Sequence, residues 1–350
     1  MQHLHSLKTS TLLISLLTLL SSCGSSKLEY TNGVDFPKTI TAKSEILISS
    51  EDLMLVYPQQ MAVLDSLLII KDLASNDNYF SIYSLSGEPL ATFGRKGKGP
   101  GELLQPQNFT MDYKNKVLMV KDRFNNLIFY YDIYAILNGE RKYYQTYEVI
   151  DNLSALHIIP LYGERYLNIE MSDESRFRLF DKDQDLYNYN KVPEFLVDDL
   201  HNVDFLLSRG MSNQAIKPDG TKFVNGGEIG AVLEVFSIKG DVIKEHETLP
   251  IYKPLYDIKN GIPLQNLETR RGFSTMAASD DYIYTVLYHS KKSEERVEVK
   301  DISVFNWDAK PKFLIKTDHT ILSLCSNDDD TIYAACLDED GNMFISKLTL

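Results

Sequence analysis

The sequence predicts an all-β fold: a six-bladed β-propeller with four strands per blade, its ring closed by an N-terminal strand that completes the last blade. Three observations lead there. A short turn flanked by apolar strands recurs six times, with centres near residues 65, 114, 163, 219, 280 and 329. These centres stand about 49 to 61 residues apart, close to the length of one four-stranded propeller blade. The last unit is one strand short while one strand is in excess before the first, so joining the two removes an unpaired edge.

Taken in order, SEILIS (Ser44 to Ser49) is the surplus strand. MAVLDSLLII turns at Asp65 and Ser66, FTMDYKNKVLMV at Tyr113 to Asn115, and IIPLYGERYLNI at Gly163 and Glu164. NQAIKPDGTKFV turns at Asp219 and Gly220, TMAASDDYIYTV at Asp280 and Asp281, and ILSLCSNDDDTIYAAC at Asp328 and Asp329. Gly, Asn, Asp and Ser concentrate at these points because they accept turn geometry or bond the turn backbone. Two further strands fit between successive centres, as in FSIYSLSGEPLATFG, which turns at Ser86 and Gly87. MFISKLTL is the last strand. A four-stranded unit cannot bury both faces alone, and radial stacking on its neighbours covers them. A pair of β-sandwiches would need a linker-like break, and a β-helix would need shorter coils.

Three stretches exceed the repeat. Asp181 to Ser208 has apolar residues at roughly helical spacing after Pro193 (Leu196, Leu200, Val203, Leu207). Glu247 to Arg271 holds three prolines and reads as an extended loop over one face, and Lys291 to Lys300 reads as a mixed-charge hairpin arm in solvent.

The chain opens with a short polar start carrying Lys8, then the apolar run Thr11 to Leu20, too short to span a bilayer and suited to a secretory signal. Leu20, Ser21, Ser22 and Cys23 resemble the lipobox of bacterial lipoproteins, which makes Cys23 the expected acylated N-terminus. The domain reading is therefore residues 1–22 signal peptide, 23–35 flexible tether and 36–350 propeller. Net charge is −13, and loss of Lys8 with the leader makes the mature chain more acidic still, which argues against nucleic acid. With Cys23 lipidated, only Cys325 and Cys336 remain. Pairing Ser326 with Thr331 sets Cys325 opposite Ile332 and Cys336 opposite Ile321, so two buried thiols are expected rather than a bridge.

Thr92 to Asp132 resembles the NHL-type propeller repeat: a Phe-Gly and glycine-rich loop, a proline, a strand, a turn, an apolar strand ending in Asp, and an Asn-rich turn. Phe93, Gly94, Gly97, Gly99, Pro106, Asp122 and Asn126 occupy those roles. The form GKGPGE, with RRGFSTMAASDDYIYTVLY further on, is similar to the TolB-like six-bladed propeller lipoproteins of Gram-negative envelopes. That resemblance implies fold and address, a lipid-anchored protein of the outer membrane on its periplasmic or surface face, more than chemistry.

GRKGKGPG is not a phosphate loop, since Gly97 and Lys98 are followed by Gly99 with no Ser or Thr and no helix. It reads as a crossing between blades, with Arg95, Lys96 and Lys98 as a candidate basic loop for anions. DKDQD (Asp181 to Asp185) starts like a calcium loop but has Leu186 and Val192 where glycine and a bidentate Glu are needed. No HExxH or G-x-S-x-G spacing occurs, so no catalytic or metal residue is assigned. RGMSNQA (Arg209 to Ala215) and RGFSTMA (Arg271 to Ala277) share R-G-[MF]-S-x-x-A before the first strand of two units. Arg209 and Arg271 are therefore candidate anion contacts at one channel rim, set against a packing role for the same motif. The tyrosines read as strand residues before sugar platforms.

The expected function is a lipid-anchored envelope module that binds a ligand or protein without catalysis and without cofactor. Its partners would be the membrane through the lipid, and an envelope protein or a small anionic or carbohydrate ligand. Two alternatives stand beside it: a calcium-dependent propeller hydrolase or lactonase with a channel metal, as in gluconolactonase-like propellers, and a structural subunit of an outer-membrane assembly.

Overall fold

Five of the six turns fold as read, and the sixth, at Asp328 and Asp329, lies outside the described residues. Asp65 and Ser66 join Leu64 to its partner Leu67, with Asp65 in the left-handed region at φ 53°. Asp112 pairs with Val117 and Leu161 with Arg165, with Lys116, Gly163 and Glu164 supplying the positive φ. Ile216 pairs with Phe223 and Ala278 with Ile283. The computed structural model describes residues 29–49, 51–52, 57–124, 127–140, 143–148, 155–170, 175–191, 212–255, 257–259, 262–294, 298–326 and 330–350. The helical spacing after Pro193 lies outside the described residues.

Each hairpin opens a four-stranded antiparallel blade with its first strand innermost. Blade one is Pro58–Leu64, Leu67–Asp72, Asn78–Ser84 and Pro89–Arg95; blade two is Pro106–Asp112, Val117–Asp122, Leu127–Asp132 and Tyr143–Glu148. Blade three is Ala155–Leu161, Arg165–Glu170, Phe177–Phe180 and Asp185–Tyr189; blade four is Ser212–Ile216, Lys222–Gly227, Ala231–Lys239 and Val242–Tyr252. Blade five is Phe273–Ala278, Tyr282–Leu287, Asp301–Asn306 and Pro311–Lys316. Blade six takes Thr320–Ser326, Thr331–Leu337 and Met343–Thr349 from the C-terminus and Lys43–Ile48 from the N-terminus, so the surplus strand closes the ring.

Apolar clusters occupy the faces between neighbouring blades. Phe80, Phe93, Phe109 and Tyr131 join blades one and two, and Phe177, Phe223 and Phe236 join three and four. Phe273, Phe305 and Trp307 join four and five. Each such ring removed from water contributes about 1.5–3 kcal/mol, which makes the interfaces the main source of stability. Polar clips add register. The Gln60 amide both donates to Phe109 O and accepts from Phe109 N at 2.8 Å, extending blade one onto the inner strand of blade two. Asn213 Nδ2 donates to Phe273 O at 3.0 Å, and Ser323 Oγ to Pro58 O at 2.9 Å.

Cys325 and Cys336 are buried free thiols. Cys336 stands opposite Ile321 as expected, but Cys325 faces Tyr333 rather than Ile332. A bulge between Ile321 and Ser323 shifts the register by one residue, and Ser323 is the residue whose hydroxyl clips blade six to blade one.

The N-terminal segment binds three blades from outside. Thr31 and Asn32 donate backbone N–H groups to Pro250 O (3.0 Å) and Ile251 O (2.9 Å), at the end of blade four. Val34 and Phe36 pack on the cluster between blades four and five, Phe36 edge-on to Phe305 with ring centres 5.5 Å apart. Thr39–Thr41 then pairs in parallel with Leu314 to Lys316 of blade five before the chain enters blade six.

Candidate functional site

Strand direction gives the ring two unlike rims. The upper rim carries the segments that lead into each inner strand and the turns between second and third strands; the lower rim carries the first hairpins. Inner strands of all six blades surround a central channel of about 130 Å³. Its described wall includes Gln59, Gln60, Asn108, Thr110, Gln214 and Thr275, with Met61, Met111 and Met276 between them and Lys217 toward the lower end. No Asp, Glu or His is among those lining residues. Amide and hydroxyl oxygens alone are a poor match for a calcium site, which draws on carboxylates. Among the described residues, no three His, Cys, Asp or Glu come together as a metal site elsewhere either.

The glycine-rich crossing lies on the upper rim and is tied into the scaffold. Glu102 accepts from Gly99 N at 2.8 Å and pairs with Arg95 at 3.4 Å, and a Cβ at Gly97 would meet the Glu102 carboxylate at 1.8 Å. Lys96 donates to Leu73 O at 2.9 Å and to Ser75 O, and sits over the Tyr79 ring at 4.5 Å. Lys98 alone of the three basic candidates is exposed with no such contact to a described residue. The loop is seated by Asp122, which accepts from Leu104 N, Gln105 N and Phe124 N. Asp72 does the same one blade earlier, accepting from Tyr57 N and Ala74 N at 2.9 Å. Beside each Asp is a buried lysine. Burial lowers the Lys71 pKa to about 7 and that of Lys121 to about 8. Lys71 Nζ reaches Gln107 O at 2.8 Å, another clip between blades one and two.

Arg271 occupies the upper rim, half-buried, and its guanidinium makes no hydrogen bond or ion pair with a described residue. Arg209 lies outside the described residues, and so does Cys23. Gly272 is fixed by packing: a Cβ there would stand 1.9 Å from Gly230 O and 2.1 Å from Gly227 O. Arg270, which the repeat does not single out, makes the local contacts. It donates to His289 O at 2.6 Å and lies over the Tyr252 ring at 4.8 Å, while Tyr252 Oη is bonded to His289 Nδ1 at 3.0 Å. His289, whose pKa burial lowers, opens onto a crevice of about 450 Å³ with Ser290, Asp301 and Ser303.

The feature that sequence reading missed is the apolar character of the upper rim. Of the eight large hydrophobic side chains exposed among the described residues, five are there: Tyr57, Phe124, Leu255, Leu264 and Leu267. Phe124 is 69% exposed and Leu267 67%. The leucines lie in the proline-containing stretch after blade four, where no 2- or 3.6-residue period separates core from surface. The pad they sit on is knit together: Thr269 Oγ1 donates to Leu255 O at 2.6 Å, Lys292 N to Thr269 O at 2.8 Å and Ser293 N to Leu267 O at 3.1 Å.

The profile of a family described as TolB-like, 6-blade propeller-like matches residues 35–329. A protein of Bacteroides fragilis described as exported is similar in structure, with a TM-score of 0.59 at 12% identity over 89% of this chain and 98% of that one. A member of the DUF4221 family from Bacteroides vulgatus gives 0.55 at 11% identity over 88% and 96%. At those identities the likeness concerns the fold. No curated protein sequence matches.

Proposed function

The chain belongs to the TolB-like six-bladed propeller family, and on that premise we propose that it is a lipid-anchored binding module of the bacterial envelope whose upper rim recognises a partner at the membrane surface. One observation carries this reading: exposed apolar side chains gather on the upper rim, on loops held by hydrogen bonds, while the lower rim is built of charged turns. Patches of that kind mark interaction sites. Arg271, whose guanidinium bonds to no described residue, and its repeat counterpart Arg209 suit an anionic group on that partner. The channel wall, with neither carboxylate nor imidazole among its described residues, supports binding over acid–base chemistry. Attachment is assigned to acylated Cys23 on the lipobox-like run Leu20 to Cys23.

Two experiments test it. Metabolic labelling with a fatty-acid probe is expected to mark the wild type and to be lost in Cys23→Ala; a variant that keeps the label contradicts the anchor. In native membranes, Tyr57→Ser with Phe124→Ser is expected to lose a co-purifying envelope protein that Asp280→Ser retains. Equal recovery from both variants would remove the upper rim from recognition.

A further inference from the structure

We infer that the blade four to five sector of the upper rim is a membrane-seating surface, its occupant being the phospholipid bilayer that holds the protein's own anchor; this rests on the anchored reading above. The first ground is where the strap meets the ring. Thr31 and Asn32 are bonded to Pro250 and Ile251, at the upper end of the outermost strand of blade four. Tyr30 is only seven steps along the chain from Cys23, a reach of at most about 25 Å fully extended. Inner strands of about six residues already put the rims roughly 20 Å apart before their loops are counted. A bilayer holding Cys23 therefore lies near the upper rim and cannot easily be reached by the lower one.

The second ground is what that sector presents. Immediately after Tyr252 the chain forms the pad bearing Leu255, Leu264 and Leu267, all exposed, and its short hairpin pairs Asp257–Lys259 with Ile262–Leu264. Among its described residues the same sector carries Lys253, Lys259, Arg270, Arg271, Lys291, Lys292 and Lys300 against Glu228, Asp257, Glu268, Glu294, Glu298 and Asp301, with Lys291 paired to Glu268 at 2.5 Å. In a protein of net charge −13, this sector is close to charge-balanced. Leucines beside basic residues are the composition of an interfacial contact, with the apolar tips among acyl chains and the cations at lipid phosphates. A single acyl chain holds a protein only reversibly, so a second contact of this kind supplies what the anchor lacks.

The test separates this geometry from in-cell acylation. The mature chain, residues 23–350, is coupled through the Cys23 thiol to a maleimide phospholipid in vesicles of phosphatidylethanolamine and phosphatidylglycerol. Buried Cys325 and Cys336, whose pKa values burial raises, are protected from that coupling. A tryptophan is placed on either rim by Leu267→Trp or Asp280→Trp, and quenching by brominated acyl chains is read. Trp307, the single native tryptophan, is buried on the lower rim and sets the baseline. The expected result is that Leu267→Trp loses most of its added emission while Asp280→Trp stays at baseline, and that adding Leu255→Ser and Leu264→Ser restores much of the Leu267→Trp signal. Equal quenching on both rims, quenching on the lower rim only, or none on either overturns the proposal. A wild-type protein that takes up no fatty-acid label in cells would instead strike the anchored reading and leave this outcome standing.

Discussion

The two rims of the ring are made from the same repeat and differ in what they leave uncovered. On the lower rim, exposed charges are matched to each other: Lys116 and Tyr134 both bond to Asp65 at 2.7 Å, and His246 Nε2 lies 2.8 Å from Asp308 and 2.9 Å from Lys222 Nζ. On the upper rim, apolar tips stand in solvent and the Arg271 guanidinium makes no ion pair with a described residue. The glycines differ in the same sense. Gly230 and Gly272 on the upper rim are pressed against backbone, whereas Gly163 and Gly240 on the lower rim have open space where a Cβ would go. Self-satisfied turns are what a surface needs for solubility, and rigid loops that leave groups unsatisfied are what a surface needs for recognition.

That comparison presumes a ring stiff enough to hold the rims apart, and its most sensitive point is between blades three and four. Arg176 and Glu234 form a bidentate ion pair there, both nearly inaccessible, with Asn225 Nδ2 also donating to Glu234 at 3.2 Å. Glu234→Ala leaves the guanidinium buried and uncompensated, for an expected loss of about 3–5 kcal/mol in urea unfolding. Replacing both partners by Met and Leu should recover most of it.

The glycines of the two rims differ next in expected effect. Gly272→Ala drives a methyl group into two backbone carbonyls that cannot turn aside, for an expected loss of about 3 kcal/mol. Gly240→Ala meets only the strain of its positive φ, about 1 kcal/mol. Equal thermal midpoints for the two variants would mean that the upper rim is not locked.

Smaller, and specific to the strand ends beneath the upper rim, is a pH effect. The Lys71 pKa is about 7 in the folded chain against 10.5 for an unburied lysine. Between those values the unfolded chain keeps a proton that the folded chain has released, so stability rises with pH through that window, and the burden of the buried charge is full below it. Lys71→Met is expected to flatten this rise. The difference between wild-type and variant stability should change by up to about 1.4 kcal/mol per pH unit from about pH 7 to about pH 10.

The repeat was legible because turn chemistry is local: Asp65, Gly163 and Gly220 announce hairpins within a few residues. Ring closure was legible because strands could be counted at both ends. The interblade clips were not, since Gln60 and Phe109, or Arg176 and Glu234, are brought together only by the stacking of separate blades. Cys325 missed its expected partner by one residue because the bulge at Ser323 answers to Pro58 on another blade. At the candidate site the shared motif pointed to Arg271, while the contacts fall to Arg270. The leucines of the upper rim could not be told from core leucines, because a loop imposes no period on them.

The most direct test of the account is photo-crosslinking in native membranes from residues on each rim, Tyr57, Phe124 and Leu267 above and Asp280 and Asp308 below. Adducts to lipid are expected from Leu267 and to protein from Tyr57 and Phe124, with none from the lower pair. Adducts arising chiefly from Asp280 and Asp308 would contradict it.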